Sequence, residues 1–422
     1  MTNRITRRTA LLGGAGLAAG ALAAPAIAQP APIRLGGLTT LEGPFASGGQ
    51  DAYRCVQMEL ERINHTAGGR RIEFIRESSN AQADVALARA RKLIEQDNVD
   101  IILGPLSGAE GIALRDYSRT LTGRTIVNGS SGAADTTLRS PSPNFFRFNT
   151  DGTQWMAGLG RHIHGLGIRE VAVAAGDYAF PYAQVFGFNL EFCRLGGRVT
   201  HYWAPLGTTD FTSQIAQINR SNAGAVVIVH GGTDGLAFMT QYAQAGGTRP
   251  LVGGSIMADQ TMLSARGPHR RVMVGMLSSG PIADVIDDPT WNDFVARYRR
   301  RWANEGGFAS PSIHGVNYTT NLFGILHALN AVGGDLSNNQ QAFQRALAAA
   351  QLTAPTGAAV RLDHNRQAIS DIFLNRIEER GGSAQVVAFD RARAVNQTLG
   401  MPEEQFLRLG SPSRDNPGCV AS

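Results

Sequence analysis

With 422 residues, 43% hydrophobic and 17% charged, the chain has the composition of an ordinary globular protein and enough apolar material for more than one core. Its formal charge of +5 is not a nucleic-acid signature: Arg4, Arg7 and Arg8 stand in an N-terminal segment without acids, and the remainder carries 5 − 3 = +2. Three cysteines, Cys55, Cys193 and Cys419, permit at most one internal disulfide, leave its pairing open and lack zinc-ligand spacing.

In chain order, Thr6-Arg7-Arg8-Thr9-Ala10-Leu11-Leu12 sets paired arginines directly before an apolar run, the layout of a twin-arginine export signal. The run from Leu11 to Ala24 is too short to span a bilayer, which takes about 20 residues. Ala26-Ile27-Ala28 supplies small residues for cleavage, so residues 1–28 read as a signal peptide and about 390 residues remain, a length that favours two domains. The expected compartment is the periplasm, where a disulfide can form.

Apolar runs at Ile33 to Leu38, Arg71 to Glu77, Val99 to Leu103 and Arg124 to Asn128 predict strands, separated by helical periodicity. Ala52, Cys55, Val56, Leu60 and Ile63 fall on one helix face; Val85, Ala88 and Ile94 fall on another. A second series follows at Val171 to Ala175, Val199 to Trp203, Ala225 to Val229, Leu251 to Gly254 and Val272 to Met276. Strand and helix alternating with short connections predict two doubly wound α/β lobes whose strand ends face a common cleft. Three helical stretches come next, Trp291 to Ala303, Ile313 to Val332 and Gln340 to Ala350. Strands are expected at Ala359 to Leu362 and Asp371 to Ile377, and a surface tail beyond about Gln385. Arg297, Arg299, Arg300 and Arg301 read as a solvated helix face.

Several local patterns then line up in order. Ile33-Arg34-Leu35-Gly36 precedes Glu42-Gly43-Pro44 and Gly48; Glu61-Arg62-Ile63-Asn64 ends a helix before Ala67-Gly68-Gly69. Leu103-Gly104-Pro105-Leu106-Ser107-Gly108, Asp210-Phe211, Pro355-Thr356-Gly357 and Leu362-Asp363 follow at matching distances. In this order they resemble the type I periplasmic binding proteins of the leucine, isoleucine and valine class, which serve branched-chain amino-acid transport. The resemblance implies two lobes joined by a three-strand hinge, with crossings near Asn149, Ser279 and Thr356. Lobe 1 would comprise 32–148 plus 280–356, lobe 2 would comprise 149–279 plus 357–400, and 401–422 would form a C-terminal tail. It also implies a monomeric receptor that closes on a small-molecule ligand and delivers it to an inner-membrane ABC permease with its ATPase.

Open parallel sheets bind ligands beyond the carboxyl ends of their strands, where helix N-termini favour anions. Ser107 and Gly108 occupy one such turn, and Ser130, Ser131 and Gly132 the next; the family holds a ligand carboxylate at these two places. As a plain reading, Ser107 is a helix cap, a role compatible with ligand contact. The resemblance further implies ligand contacts from Phe45 on lobe 1, from Phe180 where a tyrosine is usual, from Thr233 near a second family tyrosine, and from His314 in the side-chain pocket. His230 ends a strand beside the expected cleft, though a lone histidine there is commonly structural.

Two departures bear on cargo. Ser255 stands where amino-acid binders of this family carry an acid for the ligand's α-ammonium, and Gly132 replaces a hydroxyl residue that binds the same group. A desolvated ammonium without a counter-charge costs several kcal/mol. Unless Glu42, Asp177 or Asp234 reaches in, a small carboxylate, aromatic acid, amide or urea-like solute fits better than a standard amino acid.

Enzyme motifs are absent: the sequence has no Gly-x-Ser-x-Gly elbow, no phosphate-binding glycine loop and no His-Glu-x-x-His helix, and Lys92 is its only lysine. No cofactor is expected. The competing reading is a sensory receptor for a signalling partner, because the same fold serves both.

Overall fold

A computed structural model of the protein describes residues 30–419; the predicted export signal, with Arg7 and Arg8, lies outside the described residues. The first lobe is built on β1 (Ile33–Thr40), β2 (Thr66–Ala67), β3 (Arg70–Ser79), β4 (Ile101–Leu103), β5 (Thr125–Val127) and β6 (Phe145–Phe146), in the order β2-β3-β1-β4-β5-β6. From β3 to β6 the pairing is parallel, with Leu35 beside both Phe74 and Ile101. Side chains alternate between the faces of a strand. Ile33, Leu35, Ile101, Leu103 and Val127 therefore pack under the helices Ala46–Arg62 and Ile313–Ala331. Leu38, Ile102 and Ile126 face the helices Ala83–Arg91 and Gly108–Ser118. Cover on both faces explains why these short strands are continuously apolar.

The second sheet comprises β7 (Glu170–Gly176), β8 (Arg198–Ala204), β9 (Ala225–Val229), β10 (Leu251–Gly253), β11 (Leu277–Gly280), β12 (Gln351–Thr353), β13 (Ala359–Leu362), β14 (Ala368–Arg380) and β15 (Ser383–Val395); β7 to β11 belong to the second lobe. Their order is β12-β13-β14-β11-β10-β9-β7-β8, with β15 paired to β14. The strands from β11 to β8 are parallel, whereas β14 runs antiparallel to β11 and β15. Val171, Val173, Val227 and Val252 point to one face of this sheet, and Ala172, Ala174, Val226 and Ile228 to the other.

Three expectations are corrected. Val272 to Met276 is not a strand: His269–Met273 is helical, Gly275 turns the chain at φ +88°, and β11 starts at Leu277. The stretch beyond Gln385 is no surface tail, since β15 pairs with β14 over thirteen residues before the chain continues to Cys419. Finally, β13 does not return directly to the second lobe. Val360 and Leu362 pack with the first lobe's cluster, and the chain recrosses along β14.

The crossing after β6 is stitched by buried polar groups. Arg147, fully buried, donates to the Ala133 carbonyl at 2.7 Å and to Thr137 Oγ1 at 2.7 Å, and lies 3.6 Å from Asp151. Gln367 Nε2 donates to the Asn149 carbonyl at 3.0 Å and to Gln154 Oε1 at 2.9 Å, tying this crossing to the β13–β14 segment. Full hydrogen bonding is what makes a buried guanidinium tolerable.

Cys193 pairs with Cys419, fixing the C-terminal stretch to the helix Ala179–Arg194, and Cys55 is a buried free thiol. Among the described residues no helix is long and apolar enough to cross a membrane.

Candidate functional site

The lobes are closed on one another. Gly108 at the head of its helix faces Phe180, whose Cβ and N lie 3.1 and 3.3 Å from where a Gly108 Cβ would stand. The loop Gly43–Phe45 of the first lobe abuts Gly231 and Gly232 of the second, and Gly232, at φ +57°, leaves no room for a Cβ against the Pro44 carbonyl. Glycine is required there on both counts.

Between the lobes lies a cavity lined by Phe45, Leu106, Ser107, Gly108, Ser130, Gly132, Trp155, Tyr178, Phe180, Ile256 and His314. Seven of these were expected from the sequence: Phe45, Ser107, Gly108, Ser130, Gly132, Phe180 and His314. Ser131, His230, Thr233 and Ser255 do not line it. Ser131 is buried behind the loop, where its carbonyl accepts from Asn128 Nδ2 at 3.0 Å. His230 is enclosed by Phe211 and Phe238 at ring distances of 4.9 and 5.5 Å, and burial pushes its imidazole down to about 3. Thr233 turns to Asp234 at 3.4 Å, and the Ser255 hydroxyl accepts from Gln184 Nε2 at 2.9 Å.

The three acids named as substitutes for the missing counter-charge, Glu42, Asp177 and Asp234, do not line the cavity either. Asp177 is held by the Tyr182 hydroxyl and by Arg414 at 2.9 Å, and Asp234 accepts from the Gly207 amide at 2.7 Å. Leu106, Trp155, Tyr178 and Ile256 were missed. Tyr178 had a legible signal, lying in the same Asp177-to-Pro181 loop as Phe180. Trp155 follows the first crossing, in a short helix with no motif to mark it.

At the polar end, Asn317 Nδ2 donates to Ser130 Oγ at 3.0 Å, and Ser130 Oγ lies 2.9 Å from His314 Nδ1. Burial lowers the His314 pKa to about 4, so the ring is neutral at pH 7. A serine that accepts from Asn317 and donates to Nδ1 leaves the proton on Nε2, an arrangement that makes His314 a donor. Gly48 is needed beside it, since a Cβ there would overlap the imidazole.

Ser107 is the N-cap of Gly108–Ser118 in a full capping box: its hydroxyl accepts from the Glu110 amide at 3.4 Å, and its amide donates to Glu110 Oε2 at 2.8 Å. The same hydroxyl donates to the Ala81 carbonyl at 3.1 Å. The cap therefore occupies the Ser107 side chain, and what this helix start offers an anion is its first-turn amides.

Phe180 packs edge-on to Trp155 at 5.2 Å, and Phe45 stands beside the polar group, edge-on to His314 at 6.5 Å. Gly132 makes space for Phe180: a Cβ at 132 would lie 2.8 and 2.9 Å from the ring's Cε2 and Cδ2. The two departures at 132 and 180 are thus one steric unit.

Residues 32–383 match the family model described as periplasmic binding protein. The chain belongs to the periplasmic binding protein family. Leu/Ile/Val-binding protein homolog 7 of Brucella melitensis biotype 1 is 25% identical to this binding protein over 374 residues, covering 83% of this chain and 90% of the relative. Two solved solute-binding proteins of ABC transporters from R. palustris share the fold. One, in complex with benzoate, has a TM-score of 0.77 at 21% identity over 85% of this chain and 96% of that one. The other, in complex with 4-hydroxybenzoate, has a TM-score of 0.80 at 20% identity over 87% and 98%. The family is one of solute-binding proteins of the periplasm, not of enzymes.

Proposed function

We propose that this protein is the solute-binding component of an ABC importer and that its cleft takes a small aromatic carboxylate. One observation carries the reading: Phe45, Trp155, Tyr178 and Phe180 line the cavity while no Asp, Glu, Lys or Arg does. Aromatic rings favour an aromatic ligand through offset or edge contacts. A carboxylate finds donors in neutral His314 and the amides at the Gly108 helix start, which together suit a single negative charge. An α-ammonium finds no counter-charge.

Likeness to structures solved with benzoate and 4-hydroxybenzoate supports this choice. The Arg7-Arg8 signal supports export by the twin-arginine route, and delivery as a monomer to a permease with its ATPase completes the proposal. Calorimetry of the mature protein against benzoate, 4-hydroxybenzoate and leucine is the test. Micromolar or tighter binding of an aromatic acid with no heat from leucine is expected; tight leucine binding with none for the aromatic acids would refute the cargo.

A further inference from the structure

His314 belongs to the first turn of the helix Ile313–Ala331, and that turn is completed by both lobes. The helix packs on Ala46–Arg62 and places Tyr318, Leu322 and Ile325 in the first lobe's core. A helix start leaves its leading amides without internal partners. Here the Ser312 amide donates to Asp51 Oδ2 at 2.8 Å, and the Gly315 amide to Ser312 Oγ at 3.2 Å, both within the first lobe. The Ile313 amide donates at 2.8 Å to Asp259 Oδ2, which comes from the second lobe, just past β10.

Asp259 is 4% exposed, and its two oxygens have separate tasks. Oδ1 accepts from the Thr261 amide at 2.8 Å and the Thr261 hydroxyl at 2.5 Å, capping the short helix Gln260–Leu263; Oδ2 is left for Ile313. Burial pushes the carboxyl up to about 6, so at pH 7.5 it is ionised and the bond is charge-assisted.

We propose that Asp259 is a positioning residue for ligand capture: by accepting the Ile313 amide across the lobe seam it completes the helix start only on closure, and so fixes His314 over the cavity in the closed form alone. The inference rests on the proposed reading of the cleft as a closing ligand site. It assigns Asp259 to the step after docking. Ligand meeting the open first lobe does not sense the residue, whereas escape from the closed form must break the bond.

The discriminating variant is Asp259→Ser. Serine still caps Gln260–Leu263, as serine does at an N-cap, but is too short to reach Ile313. Stopped-flow binding of benzoate at pH 7.5 should show an association rate within about twofold of wild type and a dissociation rate raised roughly tenfold or more, the size expected of a charge-assisted hydrogen bond. Hydrogen exchange of the Ser312–Val316 stretch should speed up in the benzoate-saturated variant, with the thermal midpoint of the unliganded protein unchanged. An unchanged dissociation rate, or a loss carried wholly by association, overturns the proposal. Should Asp259→Ser fail to fold, Asp259→Asn serves, because an amide retains only one acceptor oxygen for the donors on its two sides. If wild type binds no aromatic acid, the cargo reading fails by itself. The exchange comparison is then made on leucine-saturated protein: faster exchange at 312–316 in the variant than in wild type supports the seam bond, and equal exchange overturns it.

Discussion

Replacing Gly132 by serine tests the steric unit at the centre of the cavity. The new Cβ would stand 2.8 and 2.9 Å from Cε2 and Cδ2 of Phe180, where carbon atoms in good contact sit at about 3.5–4.0 Å, so the ring must move by about 1 Å. It has one direction to go. Trp155 bounds it at 5.2 Å between ring centres and the Gly108 helix start lies behind its backbone, so the ring swings into the ligand space. Overpacking of this kind costs about 1–3 kcal/mol. Gly132 is on the first lobe and Phe180 on the second, so the cost falls on the closed form and weakens binding by roughly 5- to 150-fold, at 1.4 kcal/mol per factor of ten. Calorimetry with benzoate reads the loss, and the thermal midpoint of unliganded protein should stay within about 2 °C of wild type, since opening relieves the overlap. In the double variant Gly132→Ser with Phe180→Ala the serine should add no further loss to Phe180→Ala alone. Affinity within twofold of wild type in the single variant, or simple additivity in the double, would refute the coupling of these two positions.

Acid stability should depend on His230. Its folded pKa of about 3 lies below the ordinary 6.5, so the unfolded chain binds the extra proton between those values; the stability it confers is full above about pH 6.5 and is lost as pH falls toward 3. Urea midpoints at pH 7.5 and 5.0 should drop less for His230→Leu than for wild type, with His201 and His314, both near 4, sustaining the remaining slope; equal drops would count against burial as the cause. Opening the Cys193–Cys419 bond by Cys419→Ser frees the end of a 226-residue loop and should lower stability by about 2–4 kcal/mol. Proteolysis should then begin in residues 410–419, and a C-terminus as resistant as wild type would show that Phe406 and the Asn189 bond to the Pro417 carbonyl hold it unaided.

The doubly wound lobes were legible because their strands are buried on both faces, which forces runs such as Ala225–Val229 with nothing polar in them. The same signal misled at Val272 to Met276, where an equally apolar run is broken by Gly275 and spends its first half as a helix. β15 was missed for the opposite reason: Asp390, Arg391 and Arg393 interrupt a strand that pairs along its length with β14 and meets only the Val285 bridge on its other edge. At the site, Ser107 and Ser130 were readable from their place after strands. His314 lies 184 residues from its partner Ser130, and only the family resemblance, not local pattern, connects them. His230 ends its strand as expected, but its ring enters an aromatic cluster, a choice of side that a strand-end residue does not reveal.

On the proposed reading, selectivity comes from what the cleft withholds. Ser255 is turned to Gln184 and packed against Gly280, where a Cβ would lie 2.8 Å from that of Ser255, so an acid placed at 255 would have to displace the bond that holds the loop after β10. Gly132 gives up a hydroxyl so that Phe180 can fill the space beside Trp155. Each change alone would leave an amino-acid site damaged: a serine at 255 with a hydroxyl at 132 still solvates an ammonium in part, and an acid at 255 beside an aromatic wall has no partner when the ligand is neutral there. Together they remove both acceptors for an ammonium and put a ring in their place. Burying that ammonium without a counter-charge would then cost several kcal/mol, two or more orders of magnitude in affinity, whereas a benzoate-like anion meets rings at one end and donors at the other. His314 fits the same logic, because an imidazole kept neutral by burial can donate to a carboxylate without adding a second charge that the cavity would have to desolvate.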